Sequence, residues 1–550
     1  MHHEDELVRE KSQQEEGQGE LGHHHHQQQP SDYQRPSHEI EDANNVEGVT
    51  NPPTDIDTDS ETGGPSSDDN VILVTFRPGE PANPYNWSQA KKHYVVFVGT
   101  LLSINSTMGS SIPSNEIPAL QARFHFPDGA QTILPATTYL IGFVLGPLVF
   151  APLSEQYGRR VILVSTLALY LIFTMACALA PTWAAFLVFR ILSGIFASPP
   201  MSVTGGSIAD VNEDKVARGR ANVLWSTATL VGPLAGPVIA GYTAADSWKW
   251  GFWAAMILSG FCLVAVLCQP ETLTTKILRD RARQLNKEKG SDKYMAPADQ
   301  DRPSLLVMLK ITTTRPLYFM FTEMVVALTC VYMAFVYAVF YMLLEIFPDI
   351  FEGIYGFTAG ESGLAFVMMF AGSVVTVFVS YICDRYAQSI IQRHPNKQAE
   401  YLRLPIACLG GPLFVIALLW LGWTSRASVP WVVPLLSMIP YGIAYQMIFM
   451  AMINYVADAY GIYASSALAA CAAARSVAGA VIPLAVDSMV DTLGIAWSCS
   501  LLAFISCGLS LVPFGFIIWG EQIRAASNFS KKLQQDPHPE LELTRSLSVV

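Results

Sequence analysis

Four ionisable residues stand inside long apolar runs, where a charge is costly unless it faces a cavity, water or a partner. Glu323 lies in Phe321-Thr-Glu-Met324, Arg190 in Phe186-Leu-Val-Phe-Arg-Ile-Leu-Ser-Gly194, Arg475 after the small-residue run Ala464–Ala474, and Asp458 in Asn454-Tyr-Val-Ala-Asp458. Counted from Trp183 at the helical rise, Arg190 sits about 10 Å into a bilayer; Arg475, counted from Ala464, sits about 16 Å in. Burial disfavours the charged form of a carboxyl, which is the property a proton carrier needs, so Glu323 is a candidate proton carrier. For Asp458, near a span end, a capping or gate role competes evenly with coupling. Glu345, at the other end of its run, is a gate or a solvated helix end. Arg190 has two readings: a cavity-facing charge, or a structural pair with an acid such as Asp210.

The elements that must position these groups are membrane helices. The chain has 550 residues, 51% hydrophobic and 15% charged, well below the quarter or so of charged residues usual in a soluble domain. Apolar runs long enough to cross the hydrocarbon core fall at 93–114, 132–152, 161–180, 184–206, 222–242, 250–269, 317–344, 361–383, 404–424, 430–456, 464–488 and 494–519. Grouped, they give a polar tail expected to be disordered (1–90), a six-helix bundle (91–270), a charged linker (271–316), a second six-helix bundle (317–520) and a C-terminal tail (521–550). Lys and Arg concentrate in the even-numbered loops and the linker, among them Arg159, Arg160, Lys215, Arg218, Arg220 and Arg385. The positive-inside rule then puts the linker and both termini in the cytoplasm. No signal peptide precedes residue 93 or so, and Asn86-Trp-Ser and Asn528-Phe-Ser would face the cytosol, unglycosylated.

Composition also excludes classes of function. The formal net charge of −12 argues against a nucleic-acid partner, which wants a basic face. No histidine lies mid-membrane, His93 standing at the start of the first span, so haem, intramembrane metal and histidine-dependent acyl transfer lack their residues. The nine cysteines show neither metal-ligand nor disulfide spacing and read as small core residues. No catalytic constellation appears.

Span 5 holds Val231-Gly-Pro-Leu-Ala-Gly-Pro-Val-Ile-Ala-Gly241. Gly232, Gly236 and Gly241 permit close helix approach, while Pro233 and Pro237 bend the helix and free carbonyls. This pattern resembles the antiporter signature of proton-coupled drug exporters in the major facilitator superfamily. The loop after span 2, Ala151-Pro-Leu-Ser-Glu-Gln-Tyr-Gly-Arg-Arg160, resembles the superfamily's gate motif through Pro152, Glu155, Gly158, Arg159 and Arg160. Glu155 replaces the common Asp. Asp384-Arg385 echoes it after span 8, so the halves read as parallel repeats around a midplane site.

Together these pieces, over roughly residues 85–520, resemble the twelve-helix drug:proton antiporters of fungi. The resemblance implies an all-α membrane protein of the major facilitator fold, with twelve transmembrane helices in two six-helix bundles. It implies a proton-coupling role for Arg190, although Ser193 replaces the usual Gln, and a kinship of span 7 with the family's seventh helix, although Met324 follows Glu323 where Pro is common. Pro270-Glu-Thr272 marks the end of span 6 and carries no reaction. Tyr139, Trp225, Tyr337, Tyr341 and Tyr445, with Phe335, Tyr441 and Asn454, are candidates to line an apolar cavity with polar handles. The function expected is proton-driven efflux of drugs, toxins or secondary metabolites, with polyamines a less suited cargo because the spans hold few acids. Proton-coupled import of a nutrient and a transporter-like sensor are the alternatives. No cofactor is expected beyond the proton gradient. The expected partners are the bilayer, protons and a small hydrophobic or amphipathic substrate; the chain is expected to be a monomer in the plasma membrane, with the vacuolar membrane as alternative.

Overall fold

The computed structural model describes residues 71–127, 129–243, 247–290, 292–299, 305–393, 404–460 and 463–526. Nearly all of these residues are helical, as lipid demands of a chain that must satisfy its backbone internally. Eleven segments are long and apolar enough to cross a membrane, beginning with Gln89–Phe124 and ending with the 60-residue Ala464–Ile523. The last is a hairpin. Ser498 Oγ donates to Met489 O at 3.1 Å, a pair that one continuous helix would hold about 13 Å apart. The chain reverses at Gly494, whose φ of 75° lies in the region glycine alone enters freely. With it the twelve spans are complete.

Spans 1–6 run Gln89–Phe124, Ala130–Tyr157, Arg159–Ala178, Trp183–Val211, Ala217–Thr243 and Lys249–Cys268. Spans 7–10 run Met324–Ile354, Ala359–Cys383, Leu404–Thr424 and Val432–Tyr460. Span 6 shows the lipid side plainly: Ile257, Phe261 and Val264 are exposed at spacings of four and three, one helical stripe. Span 7 is the opposite case, buried from Val325 to Phe347 along most of its length as the axis of the second half's core. Span 1 is buried too, but with a polar lining: Ser103, Asn105, Ser106, Thr107, Ser110, Ser111, Asn115 and Glu116 are all inside.

Span 5 breaks at Leu230, between helices Lys215–Thr229 and Val231–Thr243. Pro233 has no N–H to give the carbonyl four residues back, which is that of Thr229. The Thr107 hydroxyl donates to it instead, at 3.2 Å.

The linker is more structured than its charge suggests. Helix Thr274–Lys289 follows span 6, and helix Leu305–Thr322 leads into span 7, which begins after a break at Glu323. Residues from Val71 to about 90, expected to belong to a disordered tail, are ordered instead. Ile72 and Leu73 pair in parallel with Tyr294 and Met295. Val74 joins Leu278, Ala282 and Ala296 in a small apolar core, and Glu80 meets Arg281 at 2.6 Å. Three or four apolar residues in an otherwise polar stretch suffice once a helix presents a matching face.

Candidate functional site

Arg190 is fully enclosed in the first half and fixed by carbonyls. Its Nε donates to Pro135 O (2.9 Å), Nη1 to Gly109 O (2.8 Å) and Nη2 to Ser110 O (3.3 Å), and the guanidinium lies 4.5 Å from the centre of the Tyr139 ring. Tyr139 in turn donates to Ser106 O at 2.6 Å. Asp210 does not reach Arg190; it pairs with Arg159 at 3.3 Å. The acid in the electrostatic neighbourhood of Arg190 is Glu116, which sequence reasoning passed over. Glu116 has no solvent exposure and no side-chain hydrogen-bond partner; its polar neighbour is the backbone of Gly251, and Oε1 lies where a side chain on that glycine would have to be. The polar density of residues 103–116 within an apolar run was the available signal.

Ser110 connects this site to the second half. Its hydroxyl meets Tyr341 OH at 2.8 Å, and Tyr337 OH donates to Tyr341 OH at 3.3 Å. Around them the rings of Phe340, Tyr445 and Phe449 close up, with Tyr445 and Phe449 stacked at 4.5 Å. Arg475 joins the group, 5.0 Å from the Tyr337 ring centre and 5.6 Å from that of Phe449. Gln446 Nε2 donates to Thr227 Oγ1 across the halves at 3.0 Å. So Tyr337, Tyr341, Tyr445 and Arg475 come together. Tyr139 is packed behind them under Arg190. Trp225 donates to Ser103 at 2.8 Å within the first half, and half-buried Asn454 lies about two turns along span 10 from Gln446.

Glu323 and Asp458 stand elsewhere. Glu323 is buried at the break before span 7 and accepts from Tyr460 OH at 3.0 Å. Eighteen residues separate it from Tyr341, about 27 Å of helix. Asp458 is exposed at the same end of span 10. The four ionisable candidates therefore do not form one cluster.

The loop after span 2 is tied down by an acid other than the expected one. Glu155 is exposed. Glu271, in the Pro-Glu-Thr segment read as a mere boundary, accepts the backbone N–H groups of Arg159 (2.9 Å) and Arg160 (3.2 Å). A carboxylate there faces the positive end of span 3. Gly158 has φ 104°, and any side chain on it would collide with Glu271. Arg159 reaches Ser154 (2.7 Å) as well as Asp210, Pro152 is buried in the last turns of span 2, and Arg279 of the linker helix donates to Gln156 O at 2.7 Å while pairing with Asp299. In the second half Arg385 stacks over Tyr381 at 4.8 Å; the side chain of Asp384 lies outside the described residues.

Span 5 uses its glycines in two ways. Gly232 and Gly236 lie directly on span 1, against Thr107 and Ser111. Gly241 lies on the backbone of Ala359 in span 8, and Gly363 on that of Pro237. Asn115 Nδ2 donates to both Pro237 O (3.1 Å) and Ala359 O (2.9 Å). Thr132 reaches Asp487 (3.2 Å) and Thr137 reaches Ala480 O (2.8 Å). On the side away from the linker the halves are thus sealed backbone to backbone.

Comparison with known proteins bears on the family and the fold. Residues 97–483 match the family model described as Major Facilitator Superfamily. The chain is 35% identical over 473 residues to the multidrug transporter TPO3 of Candida glabrata, covering 86% of this chain and 74% of that protein. It is 34% identical to polyamine transporter 3 of Saccharomyces cerevisiae, covering 84% and 74%. Among solved structures it resembles a crystal structure of a D-xylose-proton symporter, with a TM-score of 0.58 at 18% identity over 77% of this chain and 97% of that one. At that identity the likeness concerns the fold alone.

Proposed function

We propose that this chain, which belongs to the fungal drug:proton antiporter family of the major facilitator superfamily, exports small hydrophobic or amphipathic compounds in exchange for protons. The observation that carries the reading is Glu116: a fully buried carboxyl with no side-chain hydrogen-bond partner, beside Arg190, whose carbonyl ligands include Ser110 at the junction of the two halves. With the linker in the cytoplasm, the sealed face of spans 5 and 8 is the outer one. When that face parts, a proton from outside reaches Glu116 and cancels its charge. The attraction to Arg190 is lost, and the balance between the two states shifts by that difference. Return to the inner side releases the proton, and the recharged carboxylate favours the state that carries cargo outward. No cofactor enters this cycle. We place the protein in the plasma membrane as a monomer, both termini cytoplasmic.

The test is retention of fluorescent hydrophobic compounds in transporter-deleted yeast expressing wild type, Glu116→Gln, Glu323→Gln or Arg190→Ala at matched surface levels. Wild type should lower retention and a protonophore should abolish the effect. Glu116→Gln should still pass compound downhill but fail to move it uphill. Full uphill export by Glu116→Gln would remove Glu116 from coupling, and raised retention with wild type would make the protein an importer.

A further inference from the structure

Arg475 differs from Arg190 in what it lacks. Arg190 spends its fork on three carbonyls. Arg475, among the described residues, has no ion pair and no hydrogen bond, and its Nε is buried without a partner. Only aromatic faces attend it, those of Tyr337 and Phe449. Such contacts return about 1–2 kcal/mol and use none of the N–H donors of this half-buried residue. The side chain is held in place by rings while its donors remain unspent.

The place it occupies is where the two halves meet. Tyr337 bonds Tyr341, Tyr341 bonds Ser110 of span 1, and Gln446 beside them bonds Thr227 of span 5. Arg475 and its rings lie beside this junction. Among the described residues no carboxylate pairs with Arg475. Glu345 lies on the same line of span 7 as Tyr337 and Tyr341, but about 12 Å from Tyr337 along the helix, and its charge neighbours are Asp349 and Asp487. Glu323 is held by Tyr460 at the other end, and Asp458 is exposed.

We propose that Arg475 is the specificity-determining anchor of the substrate chamber, and that it selects aromatic compounds bearing an ionised acid over polyamines. The inference rests on the transport reading above and names the substrate class for it. A guanidinium fork grips a carboxylate with two parallel bonds, while Tyr337, Tyr445 and Phe449 take the flat apolar body. A polyamine would bring positive charge against the Arg475 guanidinium, and like charges at close range repel.

The experiment is equilibrium binding to the purified full chain in lipid nanodiscs, with 2-naphthoate, its neutral isostere 2-naphthamide, and spermidine as competitor. Wild type should prefer the acid by tenfold or more, and spermidine should not displace it. Arg475→Gln should weaken naphthoate at least tenfold and change naphthamide less than threefold. Arg475→Lys, which keeps the charge and loses the fork, should retain part of the preference, and it serves if the Gln variant fails to fold. Equal binding of acid and amide by wild type, displacement by spermidine, or an acid preference unchanged in Arg475→Lys and Arg475→Gln would each overturn the proposal. Because binding needs no proton gradient, an acid preference that Arg475 variants lose, found alongside absent uphill export in cells, would sink the antiport reading and leave this one standing.

Discussion

The Arg190 fork donates to Pro135, Gly109 and Ser110, and an ammonium on a flexible stem cannot match that planar set. Arg190→Lys should therefore leave buried carbonyls without donors and cost about 3 kcal/mol of stability, read as a lowered thermal midpoint in detergent. A midpoint within a degree of wild type would mean that the carbonyls find other donors. Gly158 offers a second residue-scale test. At φ 104°, with Glu271 in the way of any Cβ, Gly158→Ala should cost of order 1–3 kcal/mol from backbone strain and loosen the cap on span 3. Glu271→Gln keeps the shape of that cap but not its charge, so it should be destabilising by less, measured in the same assay. These positions differ in how readable they were. Gly158 and Arg159 stood out as a motif, whereas Glu271 lies more than a hundred residues on and becomes their partner only through folding.

Among the elements, the ordered strip from Val71 onward and the linker helix Thr274–Lys289 behave as one unit. Strand pairing at Ile72–Leu73, the core around Val74 and the Glu80–Arg281 pair tie the strip down, and Arg279 carries the helix onto the end of span 2. Removing residues 1–85 should expose the apolar face of Leu278 and Ala282 and speed proteolysis within residues 274–299. A variant lacking only residues 1–70 should keep the wild-type cleavage pattern. Identical protection in both truncations would show that the strip adds nothing to the linker. The period of the apolar runs announced the spans, because lipid requires about twenty apolar residues in a row. It could not announce this strip, whose few apolar residues are ordinary until a partner face is present.

At the scale of the whole molecule, the seal between Gly241 and Ala359 is the feature to test. Thr132→Cys and Asp487→Cys, whose native side chains meet across the same face at 3.2 Å, joined by a short reducible crosslinker, should hold that face shut and abolish transport, with recovery on reduction. The native Cys268 and Cys507 are exposed and are best replaced first. Transport at the wild-type rate in fully crosslinked protein would show that the seal need not open. The sequence by itself determined the membrane class, the number of spans, the two-half organisation and the family, because each follows from local composition and short motifs that lipid and backbone geometry impose. Only the tertiary structure decided how each charge is met: that Arg159 takes Asp210, that Arg190 is satisfied by carbonyls near Glu116, that Glu323 stands a helix-length from Tyr341, and that Arg475, among the described residues, meets rings. Those outcomes depend on contacts between residues tens to hundreds of positions apart, and no local pattern encodes which of several buried polar groups will face one another.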